Sequence, residues 1–178
     1  MLSIIKAPNP VLSQTVKKIF TIDKHIKDLI REMEETLAHT TDPEGVGLAA
    51  PQIGRNLSLF IAKPTPKAKV LVFINPVITK TNQGKERKGE KDKLEGCLSL
   101  PSIWGTVKRD QEITIDYLDE HNASHTRTFT GFLSTIIQHE IDHLEGTLFP
   151  KRVLEQNGKL YKSRKNKKGE DIFEEMEI

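Results

Sequence analysis

The chain has 178 residues, 36% hydrophobic and 29% charged, enough for one compact domain with a core of useful size and too little for a second full one. Its 27 basic and 25 acidic side chains leave a formal net charge of +2, a near-balance that excludes the concentrated excess of Lys and Arg a dedicated nucleic-acid binder needs. Residues 1–8 lack the basic flank and apolar run of a secretory signal, no stretch reaches bilayer-spanning length, and the single cysteine, Cys97, excludes an intramolecular disulfide framework, so a soluble cytoplasmic monomer is expected.

Residues 1–20, with Pro8-Asn9-Pro10, read as an extended arm with turns. From Ile22 to about Ala38 the apolar positions Ile22, Ile26, Leu29, Ile30, Met33 and Leu37 recur at helical spacing, which predicts an amphipathic helix capped by Thr21 or Asp23. Core packing explains its apolar face, and His25 and His39 fall outside any ligand pattern and read as surface residues. Thr40-Thr41-Asp42-Pro43 is then a loop. Gly45-Val46-Gly47-Leu48-Ala49-Ala50-Pro51-Gln52 sets small residues before a polar amide. Glycines at alternate positions let a second backbone or an extended substrate approach closely, though the same residues also suit a tight turn before a strand. A strand resumes over 57–62.

Residues 70–75, apolar and ended by Asn75-Pro76, suit a short buried strand. Residues 80–93 are crowded with charge and read as a solvated loop in preference to a docking surface. Glu95-Gly96-Cys97-Leu98-Ser99 follows, and Pro101 ends that segment. Residues 107–118 alternate apolar and polar (Val107, Ile113, Ile115, Tyr117), as in a strand with one wet face; 119–122 is the turn and 125–129 the returning strand. His121 and His125 lie four apart but across turn residues, and read as exposed. Beyond Pro150 the chain turns polar: 159–165 is basic, 166–169 has turn composition and 170–178 is acidic. Opposite charges of this kind would face each other across a hairpin, although the acidic end equally suits a short helix.

The chemistry concentrates in Gln138-His139-Glu140-Ile141-Asp142-His143-Leu144-Glu145-Gly146. On a helix opened by Thr130-Gly131 and closed by Gly146, His139 and His143 project from one face a turn apart, close enough to hold one metal ion. Glu140 would sit beside that ion, where it can take a proton from a water held there. Phe132 and Ile136 lie seven and three residues before His139, on its face, and would form an apolar wall. Two histidines leave a metal short of ligands. A lone thiol is commonly a small buried hydrophobe, yet Cys97 is also the obvious third ligand, since a metal-bound thiolate is ionised at neutral pH. Three protein ligands and a water make a catalytic site with an open position.

The runs Gly-x-Gly-x-Ala-Ala-x-Gln at 45–52, Glu-Gly-Cys-x-Ser at 95–99 and Gln-His-Glu-x-Asp-His-Leu-x-Gly at 138–146 stand complete and in that order. In them the chain resembles the peptide deformylase family, over roughly residues 1–150. The resemblance implies an α+β fold, antiparallel β-sheets packed around a central metal-binding helix, with residues 1–150 as the catalytic domain and 151–178 as a polar extension, hairpin-like, of the same domain. It implies a metal-dependent amide hydrolase that removes the N-formyl group from the formyl-methionine of new proteins, releasing formate. Cys97, His139 and His143 would bind the metal, Glu140 would be the general acid/base, and Gln52 with the backbone N–H of Leu98 would stabilise the oxyanion. Gly45, Gly47, Ala49 and Ala50 leave a backbone edge on which an extended peptide can add as a strand. Val46, Leu98, Phe132 and Ile136 are candidates for the methionine pocket. The family's usual metal is ferrous iron (Fe2+), with Zn2+, Ni2+ or Co2+ found in its place, and the ligands alone do not choose among them. The implied partners are nascent formylated polypeptides and, transiently, the ribosome, with no membrane and no specific nucleic acid.

Three features depart from the family pattern: the charged segment 80–93, Ser134 where alanine is frequent, and the final 28 residues. Many bacterial members end in a helix that docks on the ribosome, and the hairpin-like composition here argues against that device. A metallopeptidase using the same helix motif would need a later His or Glu ligand, but no histidine follows His143. A structural zinc module would need a fourth protein ligand.

Overall fold

A computed structural model of the chain describes residues 1–40, 44–82 and 94–177. Helix α1, Lys24–Ala38, starts where the Asp23 carboxylate accepts the Ile26 N–H at 3.0 Å, so Asp23 and not Thr21 is the cap. Its Ile30, Met33 and Leu37 are buried, the stripe that the spacing predicts. The loop residues 41–43 lie outside the described residues. Strand β1, Gly47–Ala49, then runs into a 3-10 turn, Ala50–Ile53, which ends at Gly54 with a positive φ of 75°.

Strands β1, β2 (Leu59–Ala62), β3 (Leu71–Asn82), β6 (Glu112–Leu118) and β7 (Ser124–Thr130) form a five-stranded antiparallel sheet in the order β1-β2-β3-β6-β7. Alternation along β2 decides what each face meets. Leu59 and Ile61 join Ile30, Met33 and Leu37 of α1 in one apolar cluster, while Phe60 and Ala62 join Ile136, Ile137 and Ile141 of helix α2, Gly131–Leu144, in another. All four residues are buried, because the sheet is covered on both sides. This sandwich fixes α2, the helix that carries the two histidines.

The second sheet, in the order β4-β5-β8-β9, joins β4 (Leu94–Cys97), β5 (Leu100–Thr106), β8 (Leu160–Lys165) and β9 (Asp171–Glu175), all antiparallel. Helix α3, Phe149–Glu155, covers one of its faces, where Phe149 and Val153 cluster with Cys97 and Leu160. Antiparallel sheets around the histidine-bearing helix make this an α+β fold.

Several expected boundaries are corrected. The strand read as 70–75 does not end at Asn75-Pro76: β3 continues to Asn82, bending at a register shift between Ile74 and Val77 where Asn75 takes a positive φ of 49°. The Asn75 side chain accepts from the Ile19 N–H and donates to the Ile19 carbonyl, which anchors the bend. Residues 80–82, expected in a charged loop, therefore belong to β3, and 83–93 lie outside the described residues. Val107 is not on a strand: β5 ends at Thr106 and β6 begins at Glu112. Pro101 does not end the cysteine segment but sits inside β5. Pro150, read as the start of a polar tail, occupies the first turn of α3, where its missing N–H is not needed. His125 is half-buried, stacked on Tyr117 and hydrogen-bonded to Asp119, whereas His121 is exposed.

Candidate metal centre and active site

Helix α2 is capped at its far end by backbone geometry. Gly146 follows the last turn with φ of 70°, and a Cβ there would stand 2.7 Å from the backbone of Ser13. The N-terminal arm therefore crosses the helix end closely, and the Val16 N–H satisfies the Leu144 carbonyl at 3.1 Å. Further back the arm holds two more segments: the Ile5 N–H donates to the Gln52 carbonyl and the Ala7 N–H to the Ser99 carbonyl. One strip of chain thus fixes α2, the Gln52 turn and the residues after Cys97 relative to each other.

In that frame one ligating atom from each of Cys97, His139 and His143 lies within 4.8 Å of the others. Cys97 Sγ stands 3.2 Å from His143 Nε2. His139 Nδ1 lies 3.0 Å from Glu95 Oε2, which leaves Nε2 of His139 for the cluster. A ligating histidine commonly turns its other nitrogen to a carboxylate, and this contact fixes the ring's orientation. One thiolate and two imidazoles suit a borderline-soft divalent cation and leave a fourth position open. The residues present therefore fit a resident metal.

Charge supports the same reading. Burial pushes the Cys97 thiol up, but His143 and His139 beside it more than reverse this and hold it well below the usual thiol range. Burial pushes Glu95 up too, and hydrogen bonds from Arg109 and His139 bring it down to about 2. For His139, burial opposes protonation, yet its contacts with Cys97 and Glu95 raise it well above its ordinary value. Glu140 is the exception: burial dominates, the two histidine charges offset it only in part, and its carboxyl rises to about 7. A carboxyl that titrates near neutrality both accepts and returns a proton readily.

Glu140 is 3% exposed, and its Oε2 has no hydrogen-bond partner among the described residues. Its other oxygen lies where a Cβ on Gly47 would stand, 2.3 Å away, so glycine is required at that point of β1. Gln52 is oriented as well. Its Oε1 accepts the Ala49 N–H at 2.8 Å, which turns Nε2 toward Cys97 Sγ at 3.5 Å and Ser99 Oγ at 3.4 Å.

A cavity of about 1140 Å³ opens over the cluster. Val46, Gly47, Gln52, Leu98, Phe132 and Ile136 line it together with Cys97, His139 and Glu140, while His143 lies beneath, against Cys97. Within it Ile136 is buried, whereas Phe132 is 51% exposed and stands at the rim and not as a wall against the cluster. Both flanking strands, β1 and β4, are sheet edges. Among the described residues, the cavity is thus bordered by two strands that pair on one side only.

Sequence reasoning missed the network that joins the two sheets. Arg109 donates from Nε and Nη2 to Glu95 and from Nη1 to Asp142, and Arg152 of α3 meets Asp142 on its other oxygen. Gln138 and Ser134 place Arg109: the Gln138 amide exchanges two hydrogen bonds with the Asp110 backbone, and Ser134 Oγ donates to the same carbonyl. The available signal was the acidic residue beside each ligand, Glu95 near Cys97 and Asp142 next to His143. Each is the carboxylate expected to orient a ligand or a neighbour.

Known proteins match this geometry. The family model of the polypeptide deformylases matches residues 1–159. The peptide deformylase of Aquifex aeolicus is 40% identical over 174 residues, covering 91% of this chain and 98% of that protein. That of Borreliella burgdorferi is 42% identical over 142 residues, covering 80% and 81%. Among solved structures, the peptide deformylase of Thermotoga maritima superposes with a TM-score of 0.77 at 32% identity, over 85% of this chain and 97% of that one. The chain belongs to the polypeptide deformylase family.

Proposed function

We propose that this chain hydrolyses the N-formyl group of formyl-methionine at the start of new proteins, with formate as the second product. The observation that carries the reading is Glu140: a buried carboxyl with a free oxygen, titrating near neutrality, beside a Cys-His-His cluster at the base of a cavity. Cys97, His139 and His143 would hold one divalent cation, which when bound acts as a Lewis acid and makes water more acidic. Glu140 takes a proton from the attacking water and returns it to the leaving amine, so that R–NH–CHO and water become R–NH2 and formic acid, ionised at neutral pH. The oriented Nε2 of Gln52, with the Leu98 N–H, meets the negative charge that builds on the formyl oxygen.

The substrate backbone lies between the edges of β1 and β4, which give affinity without demanding a sequence. Val46, Gly47, Leu98, Phe132 and Ile136 receive the methionine, a role supported by their common place on the cavity. Residues 1–150 act as the catalytic unit and 151–178 extend the same domain, since Phe149 and Val153 cluster with Cys97 and β8 pairs with β5. Ferrous iron is the working metal, in a cytoplasmic monomer that meets nascent chains transiently at the ribosome. Among the described residues no helix is long and apolar enough to cross a membrane.

The test is formate release from formyl-Met-Ala-Ser by the ferrous or cobalt-loaded protein, with metal analysis of protein prepared without oxygen. Release from the formylated peptide is expected; none in either metal form overturns the reading.

A further inference from the structure

We propose that the outer face of the four-stranded sheet reads the substrate beyond its third residue, with Tyr161 of the C-terminal hairpin as the contact. The proposal rests on the deformylase reading of the cavity and extends it from the formyl-methionine to the chain that follows. Strand register carries it. Gly96 pairs with Trp104, Trp104 with Tyr161, and Tyr161 with Glu175, so one row of opposed residues crosses all four strands. Opposed residues project to the same face. On that face Leu94, Gly96, Trp104, Thr106, Lys159 and Tyr161 line the catalytic cavity. The other face, with Ile103 and Leu160, packs on Phe149 and Val153.

The row begins beside a metal-ligand residue. A Cβ on Gly96 would stand 2.8 Å from the Trp104 ring, so the indole lies flat against the residue before Cys97. The hairpin holds that indole: Nε1 donates to Ser163 Oγ at 3.1 Å, and Phe173 meets the ring edge-on at 5.6 Å between centroids. Tyr161 is the next aromatic surface along the row, half-buried and open to the cavity. Past it, Lys159 is matched by Glu175 at 2.8 Å, so the row carries little net charge and favours an apolar or aromatic side chain over an acidic one. A second cavity of about 580 Å³ shares Gly158 and Lys159 and continues along Glu175, Met176 and Glu177, which extends the groove outward.

Two strand spacings, roughly 10 Å, separate Gly96 from Tyr161. A chain held at the β4 edge through its formyl-methionine and leaving that edge at Gly96 to cross this face covers the distance in about three extended residues, which brings its fourth or fifth to Tyr161. The family match ends at residue 159, and Tyr161 lies just past it, at the start of β8.

The test compares formyl-Met-Ala-Ser-Phe-Phe with formyl-Met-Ala-Ser-Gly-Gly, using the full metal-loaded chain. The aromatic peptide is expected to have a kcat/KM about 3- to 10-fold higher, carried by KM. Tyr161→Ala should bring the ratio to about 1 and Tyr161→Phe should keep it, with melting curves confirming that both variants fold. A ratio of 1 in the unaltered protein, or an unchanged ratio in Tyr161→Ala, overturns the proposal. Formyl-Met-Ala-Ser separates the two readings: its turnover without a downstream preference sinks this inference alone, while its failure to react sinks the deformylase reading and this inference with it.

Discussion

The two sheets meet at the same three ligands but are held by different forces. The five-stranded sheet is buried on both faces, with Phe60, Phe73, Ile113 and Ile115 against α2 and Leu59, Ile61 and Ile74 against α1. In the four-stranded sheet burial fades across the strands: Cys97 and Leu160 are buried under α3, while every residue of β9 is exposed. There, exposed ion pairs between β8 and β9 surround a single aromatic contact, Phe173 on Trp104, in place of a buried core. The rigid half positions two ligands and the base; the lighter half supplies Cys97 and then runs outward as a surface. Between them stands the Glu95–Arg109–Asp142 network, almost fully buried. A junction of paired charges fixes geometry where two apolar cores do not merge.

The largest expected effect comes from removing the base at the junction. Glu140→Ala should lower formate release by about 10²- to 10⁴-fold while metal content, measured directly, stays unchanged. Lost metal with intact turnover would reverse the roles assigned to Glu140 and the ligands. Next in size, Phe73→Ala attacks the rigid half. Phe73 is fully buried, stacked on Phe60 at 4.6 Å and in edge contact with Phe129, so its loss should cost about 3–5 kcal/mol in chemical denaturation.

Glu95→Gln probes the joint itself. It keeps the shape but removes the charge that faces the His139 ring and Arg109, and metal affinity in competition with a chelator should fall about 10- to 100-fold. Unchanged affinity would reduce Glu95 to a partner of Arg109 alone.

The contrast between the halves also explains what the sequence disclosed. Helix α1 was legible because Ile30, Met33 and Leu37 repeat with the helical period on a face that packs against the sheet. The ligands were legible because their chemistry is rare and their spacing local. Strand β5 was not: Pro101, Ser102 and Gly105 weaken any strand pattern, and its place is fixed by pairing with β4 and β8. Helix α3 was hidden by Pro150, a residue that breaks helices everywhere except in their first turn. The contact between Glu95 and His139 spans 44 positions, beyond any local pattern, and the outward row from Gly96 to Glu175 exists only once the register is known.

The smallest expected effects lie in the hairpin, and they discriminate packing from charge within it. Phe173 is 41% exposed but meets Trp104 edge-on, so Phe173→Ala should cost about 0.5–1.5 kcal/mol. Arg164 pairs with Glu174 across β8 and β9, both more than half exposed, in water that screens them. Exposed pairs of this kind contribute about 0–1 kcal/mol, so Arg164→Ala should shift the unfolding midpoint less than Phe173→Ala does. Raising salt to about 1 M shortens the screening length to about 3 Å and should remove what difference remains between Arg164→Ala and the unaltered protein. The Phe173→Ala difference should survive that salt, because an aromatic edge contact carries no net charge to screen. If instead Arg164→Ala were the more damaging change, the hairpin would be held by its charges, and the aromatic row would lose its role as the element that ties β9 to the cavity wall.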